Sequence, residues 1–439
     1  MWCLAQRRVF RLANGGALLR GAGTGLASRI AIDGMANIIV EDGGLLEGTI
    51  SSDLEGTTSG DSDGNRIMIA GTMSLNDTSE RMIEVNGSDN VIEVAATGVI
   101  ESFADRQYGI ILQGGRDDMI IPGDGDRNIV TVEGRIETHG DGAAGIDVTG
   151  NDNSISVGAG GVVQTHGARD GGHFAVGIET GGDNNEIDIA GLVSTEADFE
   201  TGIPVSAVHM GGNNNRLNIS GTATTAGADT PTVVLSGGSS TMTLSGTVAA
   251  ASATETAILF EHAVSGAGGN TLELQPGYAI TGLVVGDSAG TINNFVLGGD
   301  TASDTFDVGA IGDTGQYRFF DTFAKDDDST WTLTGTKNDG PTFWGAYGGT
   351  LIINAEMTGT GFANYNSAVT IGGNGTVGYL ELMDNATFAP GDAATPIGTF
   401  DVAGNVSFAD GSTYMVEIAA PDQADLLSAT GTVTINGGE

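Results

Sequence analysis

A short phrase that recurs through the first two thirds of the chain limits the folds it can adopt. GGDNNEIDIAGLVST begins at Gly181, GGNNNRLNISGTATT begins thirty residues later at Gly211, and looser copies precede and follow them. The six clearest copies carry a marker asparagine at successive spacings of 25, 38, 25, 32 and 30 residues: Asn65, Asn90, Asn128, Asn153, Asn185 and Asn215. Repeats of this length predict a solenoid in which each copy forms one coil and the extra residues form loops.

The copy at residues 128–150 predicts three short strands in each coil. Apolar alternation at residues 129–132 indicates the first strand, Ile136 lies in a second, and Ile146 and Val148 lie in a third. Three such strands fit one coil of a parallel β-helix, whose coils stack at about 4.8 Å. Since one coil cannot bury its own aliphatic face, the phrase must be repeated. We therefore predict an all-β chain with a right-handed parallel β-helix over residues 31–320.

The marker asparagines are predicted to form a structural ladder. At equivalent turns of successive coils, each side-chain amide could donate to the next. The neighbouring glycines are expected to take the positive φ that such turns require.

Composition agrees with a β-solenoid and excludes several classes of protein. The chain has 73 glycines, 8 prolines and only 6% aromatic residues, which is typical of short strands and tight turns. Its hydrophobic fraction of 39% is too high for disorder. A formal charge of −40 repels phosphate backbones, so we expect no nucleic-acid partner. Cys3 is the only cysteine, so no intrachain disulfide can form.

The start of the chain is basic. Five arginines precede the first acidic residue, Asp33, but no apolar run follows them as a secretory signal peptide requires. We expect residues 1–30 to be an unstructured basic leader or a misassigned start, with the true start upstream as a further alternative. No stretch approaches the roughly 18 apolar residues of a transmembrane helix.

The pattern changes after about residue 320. Alternation at Leu351 and Ile353 and again at Tyr414 and Val416 predicts strands with one buried face, and residues 389–392, APGD, predict a turn. Aromatic residues become much denser than in the coils. We therefore predict a separate, more stable β-helical cap over residues 321–439.

An ordered series of motifs in residues 331–438 resembles the end of an autotransporter passenger domain. The series includes GTL at 349–351, GGNGTVG at 372–378, FAPGD at 388–392 and GSTY at 411–414. The matched positions assigned to the cap are Gly349, Thr350, Leu351, Gly373, Gly375, Gly378, Pro390, Gly391, Gly411 and Tyr414.

The resemblance implies a function. In the family this region caps the helix near the membrane and promotes passenger folding during export. A C-terminal translocator β-barrel would follow Glu439, so we expect a fragment of a longer protein or a truncated copy. The chain is then expected to be a monomeric structural or adhesive stalk on a Gram-negative cell surface, with a receptor on a host cell, a neighbouring cell or the matrix.

No motif assigns catalysis. G-x-S-x-G, H-E-x-x-H and C-x-x-C are absent from the sequence, and we predict no catalytic, metal-binding or cofactor-binding residue. His139 and His166 share the phrase Thr-His-Gly and could stack as half a metal site. A solvated turn pair is the preferred interpretation, because no carboxylate or third histidine shares that phrase.

Two alternatives stay open. A carbohydrate-active enzyme on the same fold would use clustered carboxylates, for which the candidates are Asp117, Asp118, Asp124 and Asp126, although an inserted surface loop explains them more simply. A calcium-binding roll would repeat its motif every nine residues, whereas here each coil carries one copy. Side loops are the better binding candidates, at residues 101–108, 168–174 and 196–204. The run Asp326–Asp328 is predicted to be a solvated turn.

Overall fold

The computed structural model describes residues 2–5, 9–13, 15–18, 28–32, 35–52, 62–76, 81–116, 119–120, 125–168, 175–196, 205–261, 268–288, 292–366, 368–383 and 385–437. Within these ranges the chain is almost entirely β-structure, with a single 3-10 turn at Val308–Ala310. It divides into two compact units. The first comprises residues 1–242, 246–268 and 279–284, and the second comprises 243–245, 269–278 and 285–439.

Three sheets of parallel strands form the first unit, and the chain visits each sheet once per coil. Sheet 1, which follows the marker asparagines, contains Val9–Leu12, Asn37–Val40, Arg66–Ile69, Val91–Val94, Ile129–Val132, Ser154–Val157, Glu186–Ile189, Arg216–Ile219 and Thr241–Leu244. Sheet 2 contains Ala17–Leu18, Leu45–Leu46, Thr72–Leu75, Val99–Ser102, Arg135–Thr138, Val162–Thr165, Leu192–Thr195, Thr222–Thr225, Thr247–Ala249 and Ala279–Thr281. Sheet 3 contains Trp2–Ala5, Ser28–Ile32, Gly48–Ser51, Ile83–Asn86, Ile110–Gln113, Ile146–Thr149, Ile178–Gly181, Val208–Gly211, Val233–Ser236, Thr256–Glu261 and Leu283–Val285. A short antiparallel pair, Gly115–Arg116 with Met119–Ile120, lies outside them.

Alternate side chains of these strands fill the interior, because side chains of a strand point to opposite faces. The register places aliphatic residues of successive coils side by side: Ile92 pairs with Val130, and Val130 pairs with Ile155. All three are almost completely buried. Full burial of such a side chain stabilises the fold by about 1.5–3 kcal/mol. The predicted all-β parallel β-helix is therefore confirmed.

The beginning of the chain differs from our expectation of an unstructured leader. In the described part of residues 1–30, Val9–Leu12 pairs in parallel with Asn37–Val40, which sets Phe10 beside Ile38. Arg11 lies on the outer face and forms an ion pair with Glu41. The apolar alternation of this strand continues the pattern of the coils, and the surrounding arginines concealed it.

The second unit contains two main sheets, between which the chain alternates from Thr322 to Pro390. One contains Thr271–Leu274, Asn294–Leu297, Thr322–Lys325, Phe343–Ala346, Glu356–Asn364, Thr376–Leu382, Thr399–Val402, Val406–Phe408, Leu426–Ala429 and Val433–Ile435. The other contains Ser303–Asp307, Thr330–Thr334, Thr350–Ile353, Thr370–Gly373, Thr387–Pro390 and Thr413–Tyr414. Tyr317–Arg318 and the antiparallel pair Ile418–Ala420 with Gln423–Ala424 complete the unit. We predicted a boundary at residue 320, and the structure assigns residues 285–320 to this second unit.

Large side chains fill the second unit. Trp331, Leu351, Ile371 and Phe388 occupy paired positions on neighbouring strands and are fully buried. The indole N–H of Trp331 donates to the carbonyl of Gly298 at 2.9 Å, so its one polar group is satisfied. Such large side chains supply much of the buried apolar surface of the second unit.

Candidate functional site

The marker asparagines join consecutive turns of the first unit through buried hydrogen bonds. The backbone N–H of each asparagine donates to the side-chain oxygen of its counterpart in the following coil. These bonds measure 2.9, 2.9, 2.7, 2.9 and 2.8 Å along the pairs Asn65–Asn90, Asn90–Asn128, Asn128–Asn153, Asn153–Asn185 and Asn185–Asn215. Asn215 donates in turn to Ser240 Oγ at 3.1 Å. Because all six side chains are at most 2% exposed, this asparagine ladder closes the turns in a solvent-free interior.

The bonding differs in detail from the amide-to-amide stack expected from the sequence. Side-chain amides donate along the ladder from Asn65 to Asn90 at 2.8 Å and from Asn90 to Asn128 at 3.0 Å. The amide of Asn128 instead donates to the carbonyl of Gly125 at 2.8 Å. The peptide N–H supplies most of the rungs because each turn leaves that donor facing the next coil, where an unpaired N–H would be costly.

A second ladder, which we did not predict, lies two residues before the first. Its backbone donors point the opposite way, toward the preceding coil: Ser88 to Asp63, Asp126 to Ser88, Asn151 to Asp126, Asp183 to Asn151 and Asn213 to Asp183, at 2.7–3.1 Å. Asp126, which was a candidate catalytic carboxylate, is thus a rung of this aspartate ladder. Asp117, Asp118 and Asp124 lie outside the described residues. The signal in the sequence was a short polar side chain two positions before every marker asparagine.

A residue in the left-handed region separates the two ladders in each turn. Its φ is 60°, 57°, 57°, 60° and 57° at Asp89, Arg127, Asp152, Asn184 and Asn214. Nearby glycines also have positive φ, as at Gly125 with 80°. The non-glycine residues hold a sparsely populated conformation, and the hydrogen bonds on both sides offset its cost.

Five side chains on the outer face of sheet 2 form what we call the histidine–glutamate cluster: Glu101, Glu137, His139, His166 and Glu196. The rings of His139 and His166 stack with centroids 4.8 Å apart and planes within 4° of parallel. Phe103 stacks on the other side of His139 at 4.9 Å. Adjacent parallel strands bring these rings together, because the pairs Glu101–Glu137 and Glu137–Gln164 hold successive coils in register.

Three carboxylates surround the stacked imidazoles. Glu137 Oε1 lies 2.7 Å from His166 Nε2 and 3.9 Å from His139 Nε2. Glu101 Oε1 lies 3.5 Å from His139 Nε2, and Glu196 Oε2 lies 3.0 Å from His166 Nδ1. All three carboxylates lie outside the phrase Thr-His-Gly, so that phrase did not indicate them. Strand alternation was the available signal, since Glu137 stands two residues before His139 and shares its face.

The charges of this cluster are coupled. Burial raises the pKa of Glu137, but hydrogen bonds from Arg135 and His166 outweigh it and the pKa lies below its ordinary value. Burial lowers the pKa of His166, but hydrogen bonds to Glu196 and Glu137 outweigh it and the pKa lies above its ordinary value. The arrangement can therefore hold a positive charge between two imidazoles and three carboxylates.

A second group of titratable side chains lies on the outer face of sheet 3. In register along neighbouring strands, Asp147 pairs with Glu179 and Glu179 pairs with His209. His209 Nδ1 lies 3.5 Å from Glu179 Oε1, and its Nε2 lies 2.6 Å from Ser236 Oγ. Burial and the charge of Glu179 raise the pKa of Asp147 well above its ordinary value, and Arg81 opposes them. We call the pair Asp147 and Glu179 the acidic column. No sequence motif indicated it, because its two residues come from coils separated by loops.

The cap residues that matched the family motifs have local structural roles. Gly373 and Gly391 exchange backbone hydrogen bonds of 2.9 and 2.8 Å, and both have positive φ. Tyr414 packs against Phe388 with centroids 5.5 Å apart. Gly349 and Gly411 have positive φ, and Leu351 and Pro390 are buried. Thr350 pairs with Thr370 on the neighbouring strand. A Cβ at Gly375 would lie 2.5 Å from a backbone oxygen, and a Cβ at Gly378 would lie 2.6 Å from one.

The acidic run at Asp326–Asp328 surrounds a buried cation. Lys325 is fully buried, and its Nζ donates to the carbonyls of Asp326, Asp327 and Gly348 at 2.6, 2.9 and 3.1 Å. Burial lowers the pKa of Lys325 to about 8, and the nearby aspartates oppose that shift. The three aspartate residues are exposed, so this turn holds the lysine through its backbone.

The predicted side loops are described only in part. In residues 101–108, Ala104, Gln107 and Tyr108 are buried, so half of this loop packs against the coils. Only Ala168 and Glu196 are described of the loops at residues 168–174 and 196–204.

No helix among the described residues is long and apolar enough to cross a membrane. No protein-family model matches the chain, and no curated protein matches it.

Proposed function

We propose that this protein is a non-catalytic structural and adhesive stalk, the passenger of a Gram-negative autotransporter. The observation that carries the structural part is the pair of opposed ladders, which tie each turn of the first unit to both of its neighbours. Buried ladders of this kind rigidify a solenoid in which each coil contacts only the adjacent coils. Such a scaffold holds loops of variable length at fixed positions without any bond-making chemistry.

The assignment to autotransporters rests on the motif series at residues 331–438. Its glycines stand at positions where another residue would be strained, and its aromatic and aliphatic residues fill the second unit. The motifs resemble the region that, in autotransporters, caps the passenger and promotes its folding during export. Export across the outer membrane by a translocator and display on the cell surface follow from this assignment as parts of the same proposal.

The proposed partner is a receptor on a host cell, a neighbouring cell or the matrix. The charge of −40 disfavours nucleic acid and anionic lipid surfaces. The chain acts as a monomer in this proposal, and the loops between sheets 2 and 3 make the contact.

The test is to fuse the full chain to an autotransporter translocator and express it in a non-adherent Gram-negative host. We expect labelling of the chain on intact cells and adherence to epithelial cells or matrix proteins. Replacing residues 197–204 with a short Gly-Ser linker should reduce adherence, whereas the same change at residues 54–60, which connect sheet 3 to sheet 1, should not. Stable protein that never reaches the surface would refute display, and surface protein without adherence would refute adhesion.

A second candidate function is favoured by the acidic column of sheet 3. Asp147 and Glu179 are paired on adjacent parallel strands, so their carboxyl groups are neighbours on one face of the sheet. Retaining glycosidases use two neighbouring carboxyl groups, one protonated and one ionised. The raised pKa of Asp147 beside Glu179 suits that division of roles, with Asp147 as the acid. This alternative is a carbohydrate-active enzyme that cleaves a polysaccharide.

The alternative is tested by incubating the purified chain with a panel of polysaccharides and measuring released reducing ends. Activity that is lost in Asp147→Asn and Glu179→Gln but kept in Asp188→Asn, on sheet 1, would support an enzyme. A chain that is inert on the whole panel while folded would leave the structural function in place.

A further inference from the structure

We propose that the histidine–glutamate cluster binds a divalent transition-metal ion of the zinc class through His139, His166 and Glu137. One ligand atom from each of these side chains lies within 4.8 Å of the other two. Among the described residues, no other trio of histidine, cysteine or acidic side chains brings its ligand atoms together in this way. The site would sit on the outer face of sheet 2, away from both ladders.

The donor set selects the kind of ion. Two imidazole nitrogens and a carboxylate oxygen suit Zn²⁺, Cu²⁺ and Ni²⁺, whereas Ca²⁺ and Mg²⁺ prefer oxygen ligands alone. Glu101 Oε1 lies 3.5 Å from His139 Nε2 but is not a member of this trio. Zinc is usually four-coordinate, so the three protein ligands would leave a fourth position for a water molecule.

Small side-chain rotations bring the ligands into range. Tetrahedral zinc with bonds of about 2.0–2.1 Å requires neighbouring donors about 3.4 Å apart. Glu137 Oε1 lies 3.9 Å from His139 Nε2, which is longer than that separation. It lies 2.7 Å from His166 Nε2, which is shorter. The side chains of His139 and His166 are 31% and 23% exposed, so their rings can turn without moving the backbone.

Groups outside the ligand set orient the ligands. Arg135 Nε donates to Glu137 Oε2 at 2.6 Å, which leaves Oε1 facing the imidazoles. Glu196 Oε2, 3.0 Å from His166 Nδ1, can hold the proton on that nitrogen and leave Nε2 free to bind a metal. A carboxylate behind a histidine ligand is the usual support in zinc sites. Phe103 packs against the other face of the His139 ring.

The experiment uses the full-length chain, treated with EDTA and dialysed, and titrated with ZnCl₂ by calorimetry. The wild type should show one saturable site per chain that a double His139→Gln, His166→Gln variant lacks. Each single substitution should weaken zinc binding by at least about tenfold. His209→Gln is the matched control, since His209 lies on the outer face of sheet 3 and should leave zinc binding unchanged.

Copper provides a readout that a purely structural role of the histidines would not change. The electron paramagnetic resonance spectrum of bound Cu²⁺ should show splitting from two nitrogens in the wild type and from one in each single variant. Glu137→Gln, which keeps the shape of the side chain and removes its charge, gives an independent test if a histidine variant fails to fold. Circular dichroism in EDTA checks the fold of each variant.

The proposal is overturned if both single histidine variants bind zinc as tightly as the wild type does. It is equally overturned if the wild type binds no more tightly than the double variant, or if the copper spectrum keeps two-nitrogen splitting in both single variants. These results do not depend on adhesion or display, so they test the metal site separately from the proposed function.

Discussion

The backbone N–H of Asn128 donates a 2.7 Å hydrogen bond to the side-chain oxygen of Asn153 in the following coil. Two residues before Asn153, Asn151 donates its own N–H back to Asp126 at 2.7 Å. Each turn is therefore held from both sides by bonds of opposite direction. This pairing explains why the chain repeats its phrase so closely while the loops between copies differ in length.

Removing one rung should be costly. Asn128→Ala leaves the buried N–H of Asn90 without its acceptor, and an unsatisfied buried donor costs about 1–3 kcal/mol. We expect the free energy of unfolding, measured by urea denaturation, to fall by about 2–4 kcal/mol, because the contacts of the Asn128 amide are lost as well. The matched control is Asn218→Ala, which removes a half-buried bond to Asp188 on the outer face and should cost less than about 1 kcal/mol. Equal losses in the two variants would contradict a special role of the ladder.

The aspartate ladder alternates charged and neutral side chains at Asp126, Asn151, Asp183 and Asn213. Asn151→Asp would put three carboxylates in successive coils, and their mutual repulsion should destabilise the fold. Carboxyl groups repel one another only when they are ionised, so the loss of stability should grow as pH rises from about 3.5 to 7. Asn213→Asp adds a charge beside one carboxylate only, that of Asp183, so this variant should lose less stability than Asn151→Asp does. Melting temperatures at several pH values measure both, and a loss independent of pH would exclude repulsion as the cause.

Asp147 should make the fold less stable at neutral pH. Its pKa in the folded chain is raised above the ordinary value of about 3.9 by burial and by Glu179. Between the two pKa values the folded chain keeps the proton and the unfolded chain does not, so the free energy of unfolding falls as pH rises through that window.

Asn cannot ionise, so Asp147→Asn should be more stable than the wild type near pH 7.5, with a difference that shrinks toward pH 4. Urea denaturation at intermediate pH values measures this difference. The charged groups facing this carboxyl are Glu179 and Arg81, and the neutral phenol of Tyr108 lies nearby; all three are unchanged in the variant. The exposed Asp229→Asn serves as a control and should change stability by less than about 0.5 kcal/mol. A stability difference between variant and wild type that instead widens toward acid pH would contradict a raised pKa of Asp147.

A substitution at Gly373 tests how tightly the backbone of the cap is packed. The φ of Gly373 is 112°, and a Cβ there would lie 2.2 Å from the carbonyl oxygen of Ile353, so Gly373→Ala combines backbone strain with a clash that no rotamer relieves. Gly277 also has positive φ, at 96°, but its nearest neighbour would be 3.5 Å away. We expect Gly277→Ala to cost about 1–2 kcal/mol and Gly373→Ala clearly more, measured by thermal unfolding. Similar costs would mean that the backbone of the cap yields easily at Gly373.

Much of the fold follows from local patterns in the sequence. Period-two alternation identifies the strands, as at Ile129–Val132, and the recurrence of Asn128 and its counterparts identifies the coils. Alternation works as a signal because a strand in a solenoid has one face in the core and one in solvent. The same signal was present at Val9–Leu12, where the surrounding arginines outweighed it in our interpretation.

The neighbours on the outer face could not be predicted in the same way. Glu137 and His166 are 29 residues apart, and Asp147 and Glu179 are 32 apart, with loops between them. Which residue of one coil lies beside which residue of the next is decided by the hydrogen-bonded register of the parallel strands, and loops of variable length hide that register in the sequence. The sequence alone therefore determined the β-helix and its asparagine turns, because each strand and turn is a local pattern. Only the tertiary structure decided the histidine–glutamate cluster, the acidic column and the opposed directions of the two ladders, because these depend on contacts between coils.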